Sequence, residues 1–397
     1  LLRLSNVEIA NFGSSFYSAV NFLNTTLSSS VTSSSIYHSC GGAIKAAGAM
    51  NILLHANVIY SSVGNGIHID GHNLSLTNNL LVLIKQPNNE SEWVSGIKTN
   101  RAHGAFMHGN AVAGSERIGF HVKGQRCDPE EKVWARNVAH SSLHGIHYYW
   151  DDGFKHCTKI AGFLSYKNYD YGLVFHLECD VVLEDVILVD NAVGLLPVVS
   201  HTSTDSSNLS KKYILLRESA IGATSQTFDC IMDRIKPLSA NLTTRERAPR
   251  SPLGGRIGIM WPQFTLQPKK WPRYPWHLLG SDGSAPGIMK LQDVAFFGFT
   301  KSCYSNDGDI CIMSNPDTAG VMCPITAERT QMLHVEYGNM LHFPTALSGA
   351  NCPTPGGCRG TQRVLYKDLD GSSVGLLPPV SVFPKEDSDL SHPCLSA

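Results

Sequence analysis

Residues 55–82, HANVIYSSVGNGIHIDGHNLSLTNNLLV, alternate short apolar strands with polar or glycine-containing corners. Strands of this length bury at most one face, so a single copy of the stretch has no core of its own. It becomes stable only when further copies stack on it, as in solenoid proteins. The stretch therefore predicts that the surrounding sequence repeats it.

The most regular mark of the repeat is a glycine followed by an apolar residue. It occurs at Gly42, Gly66, Gly96, Gly119, Gly145, Gly172 and Gly194, with successive spacings of 24, 30, 23, 26, 27 and 22 residues. Another apolar strand begins eight or nine residues before most of these glycines, often with Asn or Asp, as at Asn57, Asn110, Asn137 and Asp185. A return every 22 to 30 residues indicates one solenoid coil per repeat.

These features predict an all-β fold, a right-handed parallel β-helix. Each coil would contribute about three short strands and stack on the next at ~4.8 Å. We expect the repeat glycines at corners that require a positive φ. A sandwich or propeller would place strands every ~8–12 residues without the longer return, and a doubly wound fold needs amphipathic helices that the sequence lacks.

The repeat breaks in the middle of the chain. We predict parallel β-helix coils over residues 1–207, an irregular Pro-rich insertion with partial coils over 208–285, and the last coils with a C-terminal cap over 286–397. The insertion contains the runs TTRERAPRSP and WPQFTLQPKKWPRYPWH. A cap is expected because the open end of a coil stack exposes unpaired backbone groups.

Composition limits the partners of the chain. Its 397 residues carry a formal net charge of −1, and only 16% of them are charged. No long-range field favours nucleic acid or an anionic membrane, so we expect neither as a direct partner. No run approaches the ~20 apolar residues that span a bilayer, so we expect any membrane contact through a segment outside this chain. The first residue is Leu1, without a signal-type apolar block, which predicts a piece of a longer protein.

Cysteines and glycosylation sequons indicate an oxidising, extracellular compartment. The chain has 11 cysteines. Candidate disulfides are Cys352 with Cys358, and a pair among Cys303, Cys311 and Cys323. Cys127, Cys157 and Cys179 lie on successive coils, where they would either cross-link coils or remain buried thiols. The candidate glycosylation sites are Asn24, Asn73, Asn89, Asn208 and Asn241.

Three stretches resemble the extracellular parallel β-helix region of the fibrocystin and fibrocystin-L (polyductin) family. They are LSNVEIANFG at residues 4–13, the stretch at 55–82, and RVLYKDLDGSSVGL at 363–376. The resemblance implies a very long, single-pass, glycosylated cell-surface protein, with this chain on the extracellular side of the plasma membrane or secreted. A sister group with the same β-helix degrades hyaluronan, so the resemblance leaves an enzyme open. NCPTPGGC at 351–358 departs from the family pattern, which leaves a metal or disulfide role there open.

Superposed repeats place four basic or imidazole side chains in one column. In the strand after Gly145, Ile146 and Tyr148 share one side and His147 takes the other. The position of His147 in earlier coils is occupied by His68, Lys98 and His121. In-register stacking would set these side chains ~4.8 Å apart along an outward column. These four residues are candidates for binding an acidic partner such as a glycan carboxylate; the alternative is a solvated strand face.

The corners after these strands supply candidate catalytic residues. They are Asp151 and Asp152 in the WDDG corner, with Arg126 and Glu178 on neighbouring coils. Two carboxylates serve as acid and base in glycan hydrolysis, and a cation neutralises a uronate in lyase chemistry. The alternative is that these are ordinary polar corner residues. We expect no cofactor, with structural Ca²⁺ at close carboxylates as the one alternative.

We predict no zinc site at His144 and His147, because a three-residue step along a strand points side chains to opposite faces. The leading function is therefore a non-catalytic extracellular module, a rigid scaffold that presents a surface to a protein or glycan ligand. The alternative is a glycan-active hydrolase or lyase, acting on hyaluronan or another uronate polymer at a site near Asp152, Glu178 and Arg126.

Overall fold

A computed structural model describes the chain over residues 1–14, 17–88, 92–103, 105–127, 132–148, 157–177, 179–202, 212–225, 254–261, 284–286, 288–300, 308–314, 325–342, 366–373 and 380–382. These residues are almost entirely in short strands and the corners between them. The described part of the chain also contains a short 3-10 helix, Tyr337–Asn339.

The strands follow one another in this order: β1 (Arg3–Ser5), β2 (Glu8–Ala10), β3 (Val20–Leu23), β4 (Ser29–Thr32), β5 (Ser35–Tyr37), β6 (Ile44–His55), β7 (Val58–Tyr60), β8 (Ile67–Thr77), β9 (Leu80–Val82), β10 (Ser95–His103), β11 (Phe106–His108), β12 (Ala111–Ala113), β13 (Ile118–Val122), β14 (Gln125–Arg126), β15 (Asn137–His140), β16 (His144–Tyr148), β17 (Cys157–Tyr166), β18 (Tyr171–Leu177), β19 (Asp180–Val189), β20 (Val193–Thr202), β21 (Tyr213–Gly222), β22 (Gly254–Trp261), β23 (Ser284–Pro286), β24 (Ile288–Phe297), β25 (Gly308–Ser314), β26 (Ile325–Glu328), β27 (Gln331–Leu333), β28 (Leu341–His342), β29 (Tyr366–Asp368) and β30 (Val380–Val382).

The chain divides into two compact units. Unit 1 is Leu1–Phe154 with Thr158–Val174, and unit 2 is Lys155–Cys157 with Phe175–Ala397. In unit 1 the strands stack in the order β1-β4-β6-β8-β10-β13-β16 in one sheet and β2-β5-β7-β9-β12-β15-β17 in another. Neighbours along both paths pair in parallel. The coils thus add parallel strands to both sheets in turn, which confirms the parallel β-helix.

The interior of unit 1 contains apolar columns that run from coil to coil. Ile67 pairs with Ile97, which pairs with Phe120, which in turn pairs with Ile146. All four side chains are fully buried. Each directly follows a repeat glycine, so the glycine-apolar pair of the sequence marks one rung of the core.

Three of the repeat glycines are not required for the positive φ that the sequence suggested. Gly66, Gly96 and Gly119 do not have a positive φ. A Cβ added to Gly66 would lie 2.6 Å from the carbonyl oxygen of Gly96, and one added to Gly96 would lie 2.8 Å from that of Gly119. The expectation of positive-φ corners is therefore wrong for these residues. Glycine is needed because adjacent coils approach too closely for a side chain.

A ladder of asparagine side chains crosses unit 1 beside the second sheet. The Oδ1 of Asn79 accepts from the backbone nitrogen of Asn57 at 3.1 Å and from its Nδ2 at 2.9 Å. Asn79 makes the same bonds to Asn110, and Asn110 makes them to Asn137. All four residues are fully buried or nearly so. Asparagine opens these strands because its amide links each coil to the next.

Left-handed residues precede each member of this asparagine ladder. Ala56, Asn78, Gly109 and Arg136 have φ values of 53, 55, 67 and 58°. The backbone turns with a positive φ at these corners and, among the repeat glycines, at Gly42, whose φ is 90°.

Unit 2 continues the same type of pairing. β20-β22-β25-β28 and β19-β21-β24-β26-β29 follow one another in parallel. Val193 pairs with Ile257, which pairs with Ile310, and all three are buried. At its end β30 pairs with β29 antiparallel.

The described strands β21 and β22 lie within residues 208–285, where the sequence predicted an irregular insertion with partial coils. The rest of that range falls outside the described residues except for β23, which pairs with β20 antiparallel. The C-terminal cap, and the domain boundaries as a whole, stay predictions.

Candidate functional site

The four residues of the predicted column occupy consecutive register positions. Lys98 on β10 pairs with His68 on β8 and with His121 on β13, and His121 pairs with His147 on β16. Lys45 on β6 pairs with His68 and extends the column by one coil. The rings of His121 and His147 stack with centroids 5.1 Å apart. We call these five residues the basic column.

The basic column is less open to solvent than the sequence predicted. Lys98 is only 4% exposed, and the three imidazoles and Lys45 are half-buried. The carboxylate of Glu92 lies against the ammonium of Lys98 and forms an ion pair with it. The prediction of an outward, solvated column is thus corrected at Lys98, because a segment of the same chain covers that position.

Burial controls the protonation of the imidazoles. It lowers the pKa of both His68 and His121 to about 4, and the positive charge of Lys98 acts on both in the same direction. Burial, followed by the neighbouring imidazoles of His121 and His144, also places the pKa of His147 well below its usual value. The hydrogen bond from Lys98 lowers the pKa of Glu92. At neutral pH the basic column therefore holds neutral imidazoles around a buried ammonium.

An aromatic cluster adjoins the basic column at β16. The indole of Trp93 meets the ring of His144 edge-on at 5.1 Å, and the guanidinium carbon of Arg117 lies 5.6 Å from the Trp93 ring centroid. Tyr171 meets His144 from another side at 5.0 Å. The Nε2 of His144 is 3.6 Å from Oδ2 of Asp170, and both side chains are at least nine-tenths buried.

His144 and His147 lie closer together than strand alternation predicted. Their ring centroids are 6.0 Å apart in an edge-to-face arrangement. His144 is the first residue of β16, directly after the corner at 141–143, and alternation does not apply where the chain leaves a corner. Among the described residues, no group of three or more His, Cys, Asp or Glu side chains is arranged to hold a metal ion.

Sequence reasoning missed Glu92 and Trp93, which cover the basic column. The signal available was the spacing of 30 residues between Gly66 and Gly96, the longest in the series. Extra residues in one coil must leave the regular path as a loop. Neither residue belongs to a strand, and Gln86 holds the segment: its Nε2 donates to the carbonyl of Glu92 at 2.9 Å, and its Oε1 accepts from the nitrogen of Val94 at 3.0 Å.

The candidate catalytic residues are largely untested. Asp151, Asp152 and Glu178 lie outside the described residues. Arg126 is an exposed residue of β14, whose partner across the antiparallel pairing is Thr158. A glycan-active site at these corners stays a prediction.

One cysteine departs from the predicted pairings. Cys311 is a buried thiol and not half of a disulfide. The register positions on either side of it, between the paired positions of β22, β25 and β28, hold Gly258 and Met340, neither of which can form a disulfide. Cys127 and Cys157 are disulfide-bonded, while Cys179 is a buried thiol. Cys303, Cys323, Cys352 and Cys358 lie outside the described residues.

Two candidate glycosylation sites are accessible. Asn24 is an exposed corner residue and Asn73 is an exposed residue within β8, and their φ values are 48 and 53°. Asn89, Asn208 and Asn241 lie outside the described residues. No helix in the described part of the chain is long and apolar enough to cross a bilayer.

Two solved structures match the chain at low similarity. The A-module of the mannuronan C-5 epimerase AlgE4 of Azotobacter vinelandii is 10% identical with a TM-score of 0.43, and the match covers 86% of this chain and 90% of that module. An alginate lyase from Paenibacillus sp. str. FPU-7 is 8% identical with a TM-score of 0.42, and the match covers 82% of this chain and all of the lyase. No family model matches the chain.

Sequence relatives are far more similar. Canis lupus familiaris fibrocystin is 50% identical over 394 residues, which are 98% of this chain and 10% of the relative. Mus musculus fibrocystin is 48% identical over the same share of each, and Homo sapiens fibrocystin-L is 29% identical over 94% of this chain and 9% of the relative. The chain thus spans about a tenth of the length of these relatives. With nearly half of its residues identical to fibrocystin along almost all of its length, the chain belongs to the fibrocystin family.

Proposed function

We propose that this chain is a rigid, non-catalytic segment of an extracellular receptor-like protein, and that it binds an acidic ligand on the basic column. The observation that supports the binding role is the in-register stacking of Lys98 with His68, His121 and His147 on successive coils. Side chains fixed on neighbouring rungs meet an extended ligand with little further loss of conformational freedom.

The position of a ligand carboxylate follows from the contact already present. Lys98 holds the Glu92 carboxylate within the reach of the His68 and His121 rings. A buried ammonium needs such an acid, because an unpaired charge with little water around it is costly. The basic column therefore favours a ligand that brings a carboxylate to Lys98.

The rigid scaffold role is supported by the asparagine ladder and the continuous parallel pairing within unit 1. Backbone groups of each coil are bonded to the next, so outward side chains keep fixed spacings. The disulfide-bonded Cys127 and Cys157 agree with an oxidising, extracellular location.

Binding to carboxymethyl-dextran, compared with plain dextran, tests this proposal. The Glu92→Gln chain, which lacks the intramolecular acid, is the reference. We expect the Glu92→Gln chain to bind carboxymethyl-dextran in a salt-dependent manner and not to bind plain dextran. Adding Lys98→Gln should weaken binding at least tenfold, whereas adding Lys290→Gln, at an exposed lysine of unit 2, should not. Equal binding of the two polymers, or equal effects of the two lysine substitutions, would contradict the proposal.

A further inference from the structure

Glu92 shows how a carboxylate enters the basic column from outside. Its own side chain is 72% exposed, while that of Lys98 is only 5% exposed. The acid thus reaches down from the solvent onto a buried cation. Ion pairs with one exposed partner exchange readily with solvent and with competing ions. An external carboxylate could take the place of Glu92 without any rearrangement of the coils beneath.

The next residue along the chain occupies a second, different subsite. Trp93 contacts both the guanidinium of Arg117 and the ring of His144, and it remains 41% exposed. An indole over a guanidinium is a favourable cation–π arrangement. His144 is itself fixed by Asp170 and by the ring of Tyr171, so the wall that receives the indole is built from buried groups.

The segment of Glu92 and Trp93, which we call the covering segment, takes no part in the strand pairing. The Nε2 of Gln86 donates to the carbonyl of Glu92, and its Oε1 accepts from the nitrogen of Val94, the residue after Trp93. A segment held in this way is easier to lift than a rung that pairs on both sides. The Glu92 carboxylate and the Trp93 indole belong to consecutive residues, and this is the spacing that the two subsites accept.

We propose that this face is a docking site for a polypeptide that carries an acidic residue directly followed by an aromatic one, and that Glu92-Trp93 is the intramolecular occupant which such a partner displaces. The inference rests on the proposed binding function and narrows its ligand to a peptide. A peptide is favoured over an acidic sugar because the aromatic subsite holds an indole against Arg117, and a sugar ring has no π-electron face to offer a guanidinium.

Three dipeptides test the proposal by calorimetric titration: acetyl-Glu-Trp-amide, acetyl-Gln-Trp-amide and acetyl-Glu-Ala-amide. The protein is the native chain, the Glu92→Gln/Trp93→Ala double variant and, as a control at an exposed acid, Glu336→Gln. The two substituted residues of the double variant are exposed, and Glu92→Gln alone serves as a second variant if thermal unfolding shows that the double variant is damaged.

We expect the double variant to bind acetyl-Glu-Trp-amide at least tenfold more tightly than the native chain and the Glu336→Gln chain do, because the internal competitor is gone. We also expect at least tenfold weaker binding of the other two dipeptides to the double variant. If the native chain and the double variant bind acetyl-Glu-Trp-amide with equal affinity, the peptide does not displace Glu92-Trp93, and that part of the proposal is overturned.

The remaining outcomes separate this inference from the proposed function. If acetyl-Glu-Ala-amide binds the double variant as tightly as acetyl-Glu-Trp-amide, the aromatic subsite is wrong and the carboxylate site of the proposed function stands. Glucuronate and glucose are titrated in the same way. If glucuronate binds the double variant more tightly than any dipeptide does, and glucose does not bind, the ligand is an acidic sugar and not a peptide. If no carboxylate binds, both proposals fail.

Discussion

The buried ammonium of Lys98 is paired with a carboxylate, that of Glu92, whose side chain is 72% exposed. The two residues are six positions apart in the sequence but belong to different parts of the coil, one to strand β10 and the other to the covering segment. This unequal exposure is the basis of the proposal that an external carboxylate can replace Glu92 at Lys98.

Chemical rescue should reveal the site in the absence of any large ligand. We expect Glu92→Gln to lower the free energy of unfolding by about 1–3 kcal/mol, because it leaves the buried ammonium of Lys98 without its acid. Sodium acetate should then restore stability to Glu92→Gln, by about 0.4 kcal/mol when acetate equals its Kd. Thermal unfolding in acetate and in chloride of equal ionic strength measures this. Rescue that persists in Glu92→Gln/Lys98→Gln would show that acetate acts elsewhere.

The histidines of the basic column should make stability depend on pH above the range of the carboxylates. The pKa of His68 and of His121 is lowered by burial to about 4, so between about 6.5 and 4 the unfolded chain takes up protons that the folded chain refuses. The free energy of unfolding should therefore fall as pH drops through this window, by about 1–3 kcal/mol. The lowered pKa of Glu92 also contributes stability, but this part is lost only at lower pH, below the usual pKa of a glutamate.

Urea unfolding between pH 7 and 4.5 measures this dependence. His68→Gln should flatten the curve, whereas His108→Gln, at a half-buried histidine outside the basic column, should leave its slope unchanged. An identical slope in the native chain and in His68→Gln would contradict the assignment.

The asparagine ladder should carry a large part of the stability of unit 1. Asn110 accepts from the backbone and side-chain nitrogens of Asn79, and its Nδ2 donates to the carbonyl of Leu76 at 2.9 Å and to Asn137 at 3.0 Å. Asn110→Ala leaves these buried groups without partners, each at a cost of about 1–3 kcal/mol. We expect a total loss of about 3–5 kcal/mol by urea unfolding. Ser75→Ala, at an outward position of β8, should change stability by less than about 0.5 kcal/mol.

Close packing of the coils predicts a sharp contrast between two glycines. A Cβ at Gly96 would meet the side chain of Val112 and lie 2.8 Å from the carbonyl oxygen of Gly119, whereas one at Gly338 would have nothing within 4 Å. Gly96→Ala should therefore cost about 1–3 kcal/mol, and Gly338→Ala should stay within about 0.5 kcal/mol of the native chain. Thermal unfolding of the two variants checks this, and similar losses for both would argue against close approach as the role of the repeat glycines.

The basic column is predictable from the sequence because it depends on periodicity. A glycine and an apolar residue mark each rung, so counting from each repeat glycine assigns His68, Lys98, His121 and His147 to one register position. Asn57, Asn110 and Asn137 are visible as strand openers, although their linkage into a ladder is not. Features of a regular repeat are readable because every copy reports the same geometry.

The covering segment and the aromatic cluster are not predictable in this way, because both depend on residues that leave the repeat. Glu92 and Trp93 lie in the longest coil, and nothing in their local sequence says which face they fold onto. Strand alternation places His144 on the wrong side because it does not hold at a corner. Long-range contacts made by loops have no period, so sequence patterns do not specify them.

A crystal structure of the Glu92→Gln/Trp93→Ala chain with acetyl-Glu-Trp-amide tests the central claim most directly. We expect the peptide carboxylate to lie within roughly 2.7–3.2 Å of the Lys98 Nζ and the peptide indole to pack against Arg117 and His144. A peptide bound on another face, or one whose carboxylate does not reach Lys98, would contradict it.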